Sequence, residues 1–98
     1  MHKKDFQKYH CLIVDRDMFM RRVLRQMLRQ LGVAEVEEAK DGAQAFSMYA
    51  HTLFHIVVTE LIMPVMGGVE LTAQIRRGKG VDNQIPIVGY TSEPGFPI

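Results

Sequence analysis

Three apolar runs in this chain end on side chains that can bind a cation, exchange a proton or offer a hydroxyl. They are Cys11-Leu12-Ile13-Val14 followed by Asp15-Arg16-Asp17, Ile56-Val57-Val58 followed by Thr59-Glu60, and the run from Ile85 to Tyr90 followed by Thr91-Ser92. If the runs are strands of one sheet, their ends gather acid, base and hydroxyl groups around a shallow pocket. Each group also has a plainer reading, Asp17 as the cap of a following helix and Thr91 as a turn residue. Other candidates are weaker. No metal site is proposed at the histidines, His2, His10, His51 and His55. Gly78-Lys79-Gly80 is too short to cradle a phosphate, and no strand feeds it, so it reads as a surface turn. Cys11 is the single cysteine, and its apolar neighbours predict a packed, inert thiol.

The elements that must position these groups alternate. Cys11 to Val14 is a continuous apolar run, as expected of a strand buried on both faces. Next comes the clearest helix, with Met20, Val23, Leu24, Met27, Leu28 and Leu31 on one side and Arg21, Arg22, Arg25, Arg29 and Gln30 on the other; Asp17 can cap its start and Gly32 its end. The arginines form a basic stripe that suits either solvent or an acidic partner. The pattern further predicts a strand over 33–36, a helix over 41–53, a strand over 55–59, a short helix over 69–77 after the breakers Pro64, Gly67 and Gly68, a polar loop over 78–84 and a strand over 85–90. Such alternation predicts an α/β fold: a parallel sheet with helices on both faces, whose ligands gather at the carboxyl ends of the strands.

Size and charge narrow the classes. The 98 residues make one domain, 1–98, with an N-terminal extension at 1–9 and a tail at 94–98. A domain of this size buries roughly 60–70% of the surface its unfolded chain exposes. Twelve basic residues stand against 11 acidic ones, so the total charge supports neither nucleic acid nor a membrane surface as partner. Met1-His2-Lys3-Lys4-Asp5 has no apolar stretch behind it, and no apolar run is long; no signal peptide or spanning helix is expected, and the expected location is cytoplasmic.

Taken together, Leu12-Ile13-Val14-Asp15-Arg16-Asp17, Arg21-Arg22, Ala39-Lys40-Asp41-Gly42, Met63-Pro64-Val65-Met66-Gly67-Gly68, Ile85-Pro86-Ile87 and Thr91-Ser92 resemble the receiver domains of two-component response regulators, over essentially the whole chain. The resemblance implies a flavodoxin-like doubly wound parallel sheet of order 2-1-3-4, lacking the family's usual fifth strand and last two helices. It implies a signalling module rather than an enzyme. In the family, a histidine kinase passes a phosphoryl group to an aspartate beside a magnesium ion, and the surface seen by a downstream partner changes. The expected partners are thus a histidine kinase, a phosphotransfer protein or an effector.

The chain departs from the family's pattern where that chemistry happens. Glu60 stands at the phosphoacceptor position, its oxygens displaced by the length of one carbon–carbon bond, ~1.5 Å, in a reaction that depends on in-line placement. The family's acidic pair is Asp15-Arg16 here, so a guanidinium replaces one magnesium ligand; Asp15 is the remaining metal candidate, and Asp17 is either a partial substitute or a helix cap. The hydroxyl position is kept as Thr91, while neither Lys40 nor Lys79 matches the family's lysine. No cofactor is expected, with magnesium binding weakened. The favoured reading is a phosphorylation-independent interaction module. Its alternatives are the N-terminal part of a longer response regulator and an atypical phosphoryl acceptor using Asp15, Asp17 or Glu60. Two expectations follow: Arg16 pairs with Glu60 or Asp15 in place of the cation, and the partly uncovered sheet forms a homo-oligomer.

Overall fold

The structure, a computed structural model, describes residues 7–78 and 83–91. Lys79, Ser92 and the tail at 94–98 fall outside the described residues, as does most of the extension at 1–9. Along the chain lie β1 (His10–Val14), α1 (Met18–Gln30), β2 (Glu35–Ala39), α2 (Gly42–His51), β3 (Ile56–Glu60), α3 (Gly68–Arg77) and β4 (Ile87–Tyr90). All strand pairs are parallel, in the order β2-β1-β3-β4. This is the flavodoxin-like α/β sheet that the sequence predicts, and among the described residues it has four strands, with no strand or helix after β4.

Alternation along the strands sorts side chains to the two faces. Leu12, Val14 and Val57 meet Ala45, Leu71 and Ile75 in one core layer, with Phe54 and Ile85 closing it. Cys11 and Ile13 point the other way, toward Val33, Val36, Leu24 and Leu28. Central β1 is buried on both faces, which explains why Cys11 to Val14 reads as an unbroken apolar run. Side chains as fully buried as Leu12, Leu71 and Ile75 contribute ~1.5–3 kcal/mol each. Cys11 is wholly enclosed, and burial pushes its thiol up to about 12, so it is inert as expected.

The predicted boundaries shift most at β2, which runs over Glu35–Ala39 rather than over 33–36. The cause is the way α1 ends. Gly32 takes a positive φ of 101°, its amide donates to Arg29 O at 2.9 Å, and the Val33 amide donates back to Leu28 O at 3.0 Å. That closing bond uses Val33 to finish the helix and plug the core beneath it, so Val33 never joins the ladder. The strand instead includes Glu37 and Glu38, each with a cationic or polar partner: His10 Nε2 lies 2.6 Å from Glu37, and Arg21 and Arg25 clasp Glu38. β3 also extends one residue beyond its predicted end, to Glu60, and so delivers that carboxylate from within the sheet.

Candidate functional site

The carboxyl ends of β1, β3 and β4 bring together Asp15, Glu60 and Tyr90, with Thr91 next in the chain. Register fixes this arrangement: Val14 lies opposite Thr59, so Asp15 and Glu60 follow as neighbours, and Glu60 lies opposite Tyr90. Asp15 and Glu60 are both 4% exposed. Buried carboxylates require hydrogen-bond donors, and here the chain supplies them. Asp15 Oδ1 accepts the Asp17 amide at 2.8 Å, and Oδ2 accepts the Tyr90 hydroxyl at 2.6 Å. Glu60 Oε2 accepts the Leu61 amide at 2.8 Å, folding the carboxylate back on its own backbone. Beneath it, Thr59 is fully buried and donates to Glu60 O at 3.0 Å.

The elements around the pocket are tied to these strand ends. Arg21, one turn into α1, donates from Nη1 to the Asp15 carbonyl at 2.7 Å and from Nε to Glu38 at 2.9 Å, and Arg25 Nε reaches the second oxygen of Glu38 at 2.7 Å. Burial alone would raise the Glu38 pKa, but the hydrogen bonds from Arg25 and Arg21 outweigh it and hold the carboxyl below its ordinary value. On the far side, α3 starts hard against β3: a Cβ on Gly68 would stand 2.6 Å from Glu60 O, so only glycine lets the helix begin there. The Tyr90 phenol is held protonated, its pKa raised by burial and by the adjacent Asp15 carboxylate.

Two expectations are settled by the geometry. Asp17 takes the plainer of its two readings, capping α1 by accepting the Phe19 amide at 2.9 Å. The expected pairing of Arg16 with Glu60 or Asp15 is overturned: Arg16 is exposed, and the ion pairs among the described residues do not include it. The Asp15 carboxylate turns the chain by accepting the Asp17 amide two residues on, which directs the intervening residue outward, where a guanidinium keeps its hydration. Thr91 is half-buried beside the pocket, and Lys40 is exposed at its periphery. In the sequence Tyr90 reads only as a strand residue, although it is the group that reaches Asp15. A hydroxyl-bearing aromatic immediately before Thr91 at a strand's carboxyl end was the available signal.

The profile of the response regulator receiver domain matches residues 11–95. The chain belongs to the receiver-domain family. Among curated relatives it is 38% identical over 82 residues to chemotaxis protein CheY-3 of Vibrio cholerae serotype O1, covering 84% of this chain and 62% of the relative. It is 35% identical over 82 residues to chemotaxis protein CheY of Pseudomonas aeruginosa, covering 84% of this chain and 65% of that one. The chain therefore spans less than two thirds of the length of these relatives. The solved structure of the chemotaxis response regulator CheY4 of Vibrio cholerae matches with a TM-score of 0.77 and 28% identity, over 90% of this chain and 72% of that one. Receiver domains are signalling modules that interact with histidine kinases, phosphotransfer proteins and effectors, and none of the described helices is long and apolar enough to cross a membrane.

Receiver domains bind magnesium at the phosphorylation site, and the residues present here do not fit that ion. Magnesium demands near-octahedral oxygen ligation with one or two free carboxylates. Both oxygens of Asp15 already accept hydrogen bonds, Asp17 is committed to its helix, and the adjacent position carries a cation, Arg16. Among the described residues no group of three or more His, Cys, Asp or Glu side chains is arranged to hold a metal.

Proposed function

We propose that this receiver domain works as a phosphorylation-independent interaction module, with Glu60 as a fixed carboxylate in place of a phosphoacceptor. The observation that carries the reading is the geometry of Glu60, which is 4% exposed and bound through Oε2 to the Leu61 amide. A nucleophilic oxygen must be presented in line with an incoming phosphoryl group. This one is turned onto its own backbone, without a fitting cation site beside it to neutralise transferred charge. The pocket is thereby left in one electrostatic state, and its output is the surface formed by α1 and the loops around the strand ends. The partner is a histidine kinase, phosphotransfer protein or effector met in the cytoplasm, with neither nucleic acid nor membrane involved, and the chain associates with a second copy of itself.

Intact mass after incubation with a small acyl phosphate and magnesium tests the reading. The expected spectrum is that of the unmodified chain. A single phosphoryl adduct that is lost on mild hydroxylamine treatment and maps to Glu60 or Asp15 would overturn it in favour of an atypical acceptor. A second reading, the N-terminal part of a longer response regulator, is favoured by the coverage of 62% and 65% of its curated relatives. It leaves the pocket chemistry unchanged and adds an output segment elsewhere.

A further inference from the structure

We propose that Tyr90 is a built-in closure of the acidic pocket, its hydroxyl taking the place on Asp15 that a divalent cation would otherwise take. The geometry carries this. Tyr90 belongs to β4 and Asp15 follows β1, and β3 lies between those strands, so the side chain must cross the end of β3 to reach its acceptor. It crosses at Glu60, its register partner, and its oxygen stops 2.6 Å from Asp15 Oδ2. That distance marks a short hydrogen bond to a charged acceptor. The other oxygen, Oδ1, is held by the Asp17 amide, so neither oxygen faces the pocket without a donor. A phenol bridging the gap between two buried carboxylates does part of a cation's work: it supplies Asp15 with a positive dipole and occupies the space above Glu60. It supplies no full charge, and its backbone is anchored in the ladder, with Leu61 N donating to Tyr90 O at 2.8 Å, so the hydroxyl leaves Asp15 only by rotation of the side chain.

The outward position of Arg16 becomes intelligible on the same footing. With Asp15 satisfied by Tyr90, the pocket does not require the guanidinium, which stays in solvent. The proposal rests on the phosphorylation-independent reading only in taking Glu60 as a fixed carboxylate, and it concerns the cation side of the pocket rather than the acceptor.

The test compares four forms of the full chain: the parent, Tyr90→Phe, Arg16→Asp, and the double variant. Each is checked for fold by far-UV circular dichroism, and free Mn2+ is followed by electron paramagnetic resonance in a titration. The parent and Arg16→Asp are expected to leave Mn2+ free and to melt alike in magnesium and in chelator. Removing the hydroxyl is expected to tighten Mn2+ binding about tenfold or more, most strongly in the double variant, where a second carboxylate stands beside Asp15. Mn2+ binding by the parent as tight as by Tyr90→Phe overturns the closure, and so does a Tyr90→Phe chain that melts lower yet binds no better. If Tyr90→Phe does not fold, Arg16→Asp decides alone, because it alters an exposed residue and retains Tyr90: tight Mn2+ binding there overturns the proposal, and none supports it. The result is separable from the phosphorylation test. A phosphoryl adduct on a parent that ignores Mn2+ overturns the proposed function and leaves the closure standing, whereas Mn2+ binding without an adduct does the reverse.

Discussion

Val65 lies in the loop between β3 and α3 with φ of 72° and 85% of its surface exposed. The Met66 amide donates to Pro64 O at 2.9 Å across it, closing a three-residue turn that holds this β-branched side chain at positive φ. Such turns store strain of ~1–3 kcal/mol. Val65→Gly should therefore stabilise the fold by about 1 kcal/mol, the relieved strain less the added backbone entropy of glycine. Nothing buried is lost, since the side chain packs against little. Denaturant unfolding monitored by circular dichroism checks the expectation, with an unchanged or lower midpoint counting against it. No feature of the sequence marks this position, because valine is a residue that ordinarily avoids positive φ; Pro64, Gly67 and Gly68 announce a turn without saying which residue carries its strain. Tyr90 was hidden for a related reason. Its type fits a strand, and only the register of β4 against β3 reveals that its hydroxyl reaches past Glu60 to Asp15. Glu60, Asp15 and Thr91 were legible because each ends a run whose length and apolar character already define a strand.

Between elements, the seam joining α1 to β2 depends on one carboxylate. Glu38 accepts Arg21 Nε at 2.9 Å and Arg25 Nε at 2.7 Å, and Arg21 also grips the Asp15 carbonyl, so the clasp orients the helix relative to the pocket. No residue of α1 is fully buried, which leaves its placement more dependent on this clasp than that of α3, where Leu71 and Ile75 are enclosed. Glu38→Ala is expected to cost about 1–2 kcal/mol, between the value of an exposed pair and that of a well-formed charge-assisted one. The pH dependence has a definite sign. Because the folded carboxyl is held below its ordinary value, its contribution is present above the unfolded pKa and is lost as pH falls through the folded one. Melting temperatures from neutral pH down through the carboxylate range should fall less steeply in Glu38→Ala than in the parent. In the sequence the two arginines read as part of a solvated or partner-facing stripe, since Glu38 lies on a strand whose polar composition conceals both its limits and its role. The helical period was legible from six apolar positions, whereas cross-element pairing was not.

At the scale of the molecule, the two faces of the sheet are covered unequally. Strand pairing and the core layers put α2 and α3 over one face, while α1 lies on the other over β1 and β2. The face of β3 and β4 on the α1 side is then left with apolar groups and no helix over them among the described residues. Val88 lies opposite Val58 in register and is 49% exposed, and an apolar groove of about 420 Å3 runs between Leu28 of α1 with Leu31 just past its end and Ile56 and Pro86 at the sheet's other end. Among the described residues β4 pairs only with β3, which makes its outer edge the open edge of the described sheet. The alternation of Ile85 and Ile87 with Val88 and Tyr90 made the two-sided apolar character of this strand readable in advance, because a half-exposed strand would have shown polar residues at every second position. Apolar surface of this kind next to an open strand edge favours pairing with its equivalent on a second copy about a twofold axis, since one patch then covers both. The 98-residue chain is accordingly expected to elute as a dimer in size exclusion with light scattering at micromolar concentration. Val88→Lys, which places a charge on that face without disturbing the buried core, should shift it to monomer with its circular dichroism spectrum unchanged. A parent that is monomeric, melts cooperatively and binds no hydrophobic dye would show that the face is covered within one chain.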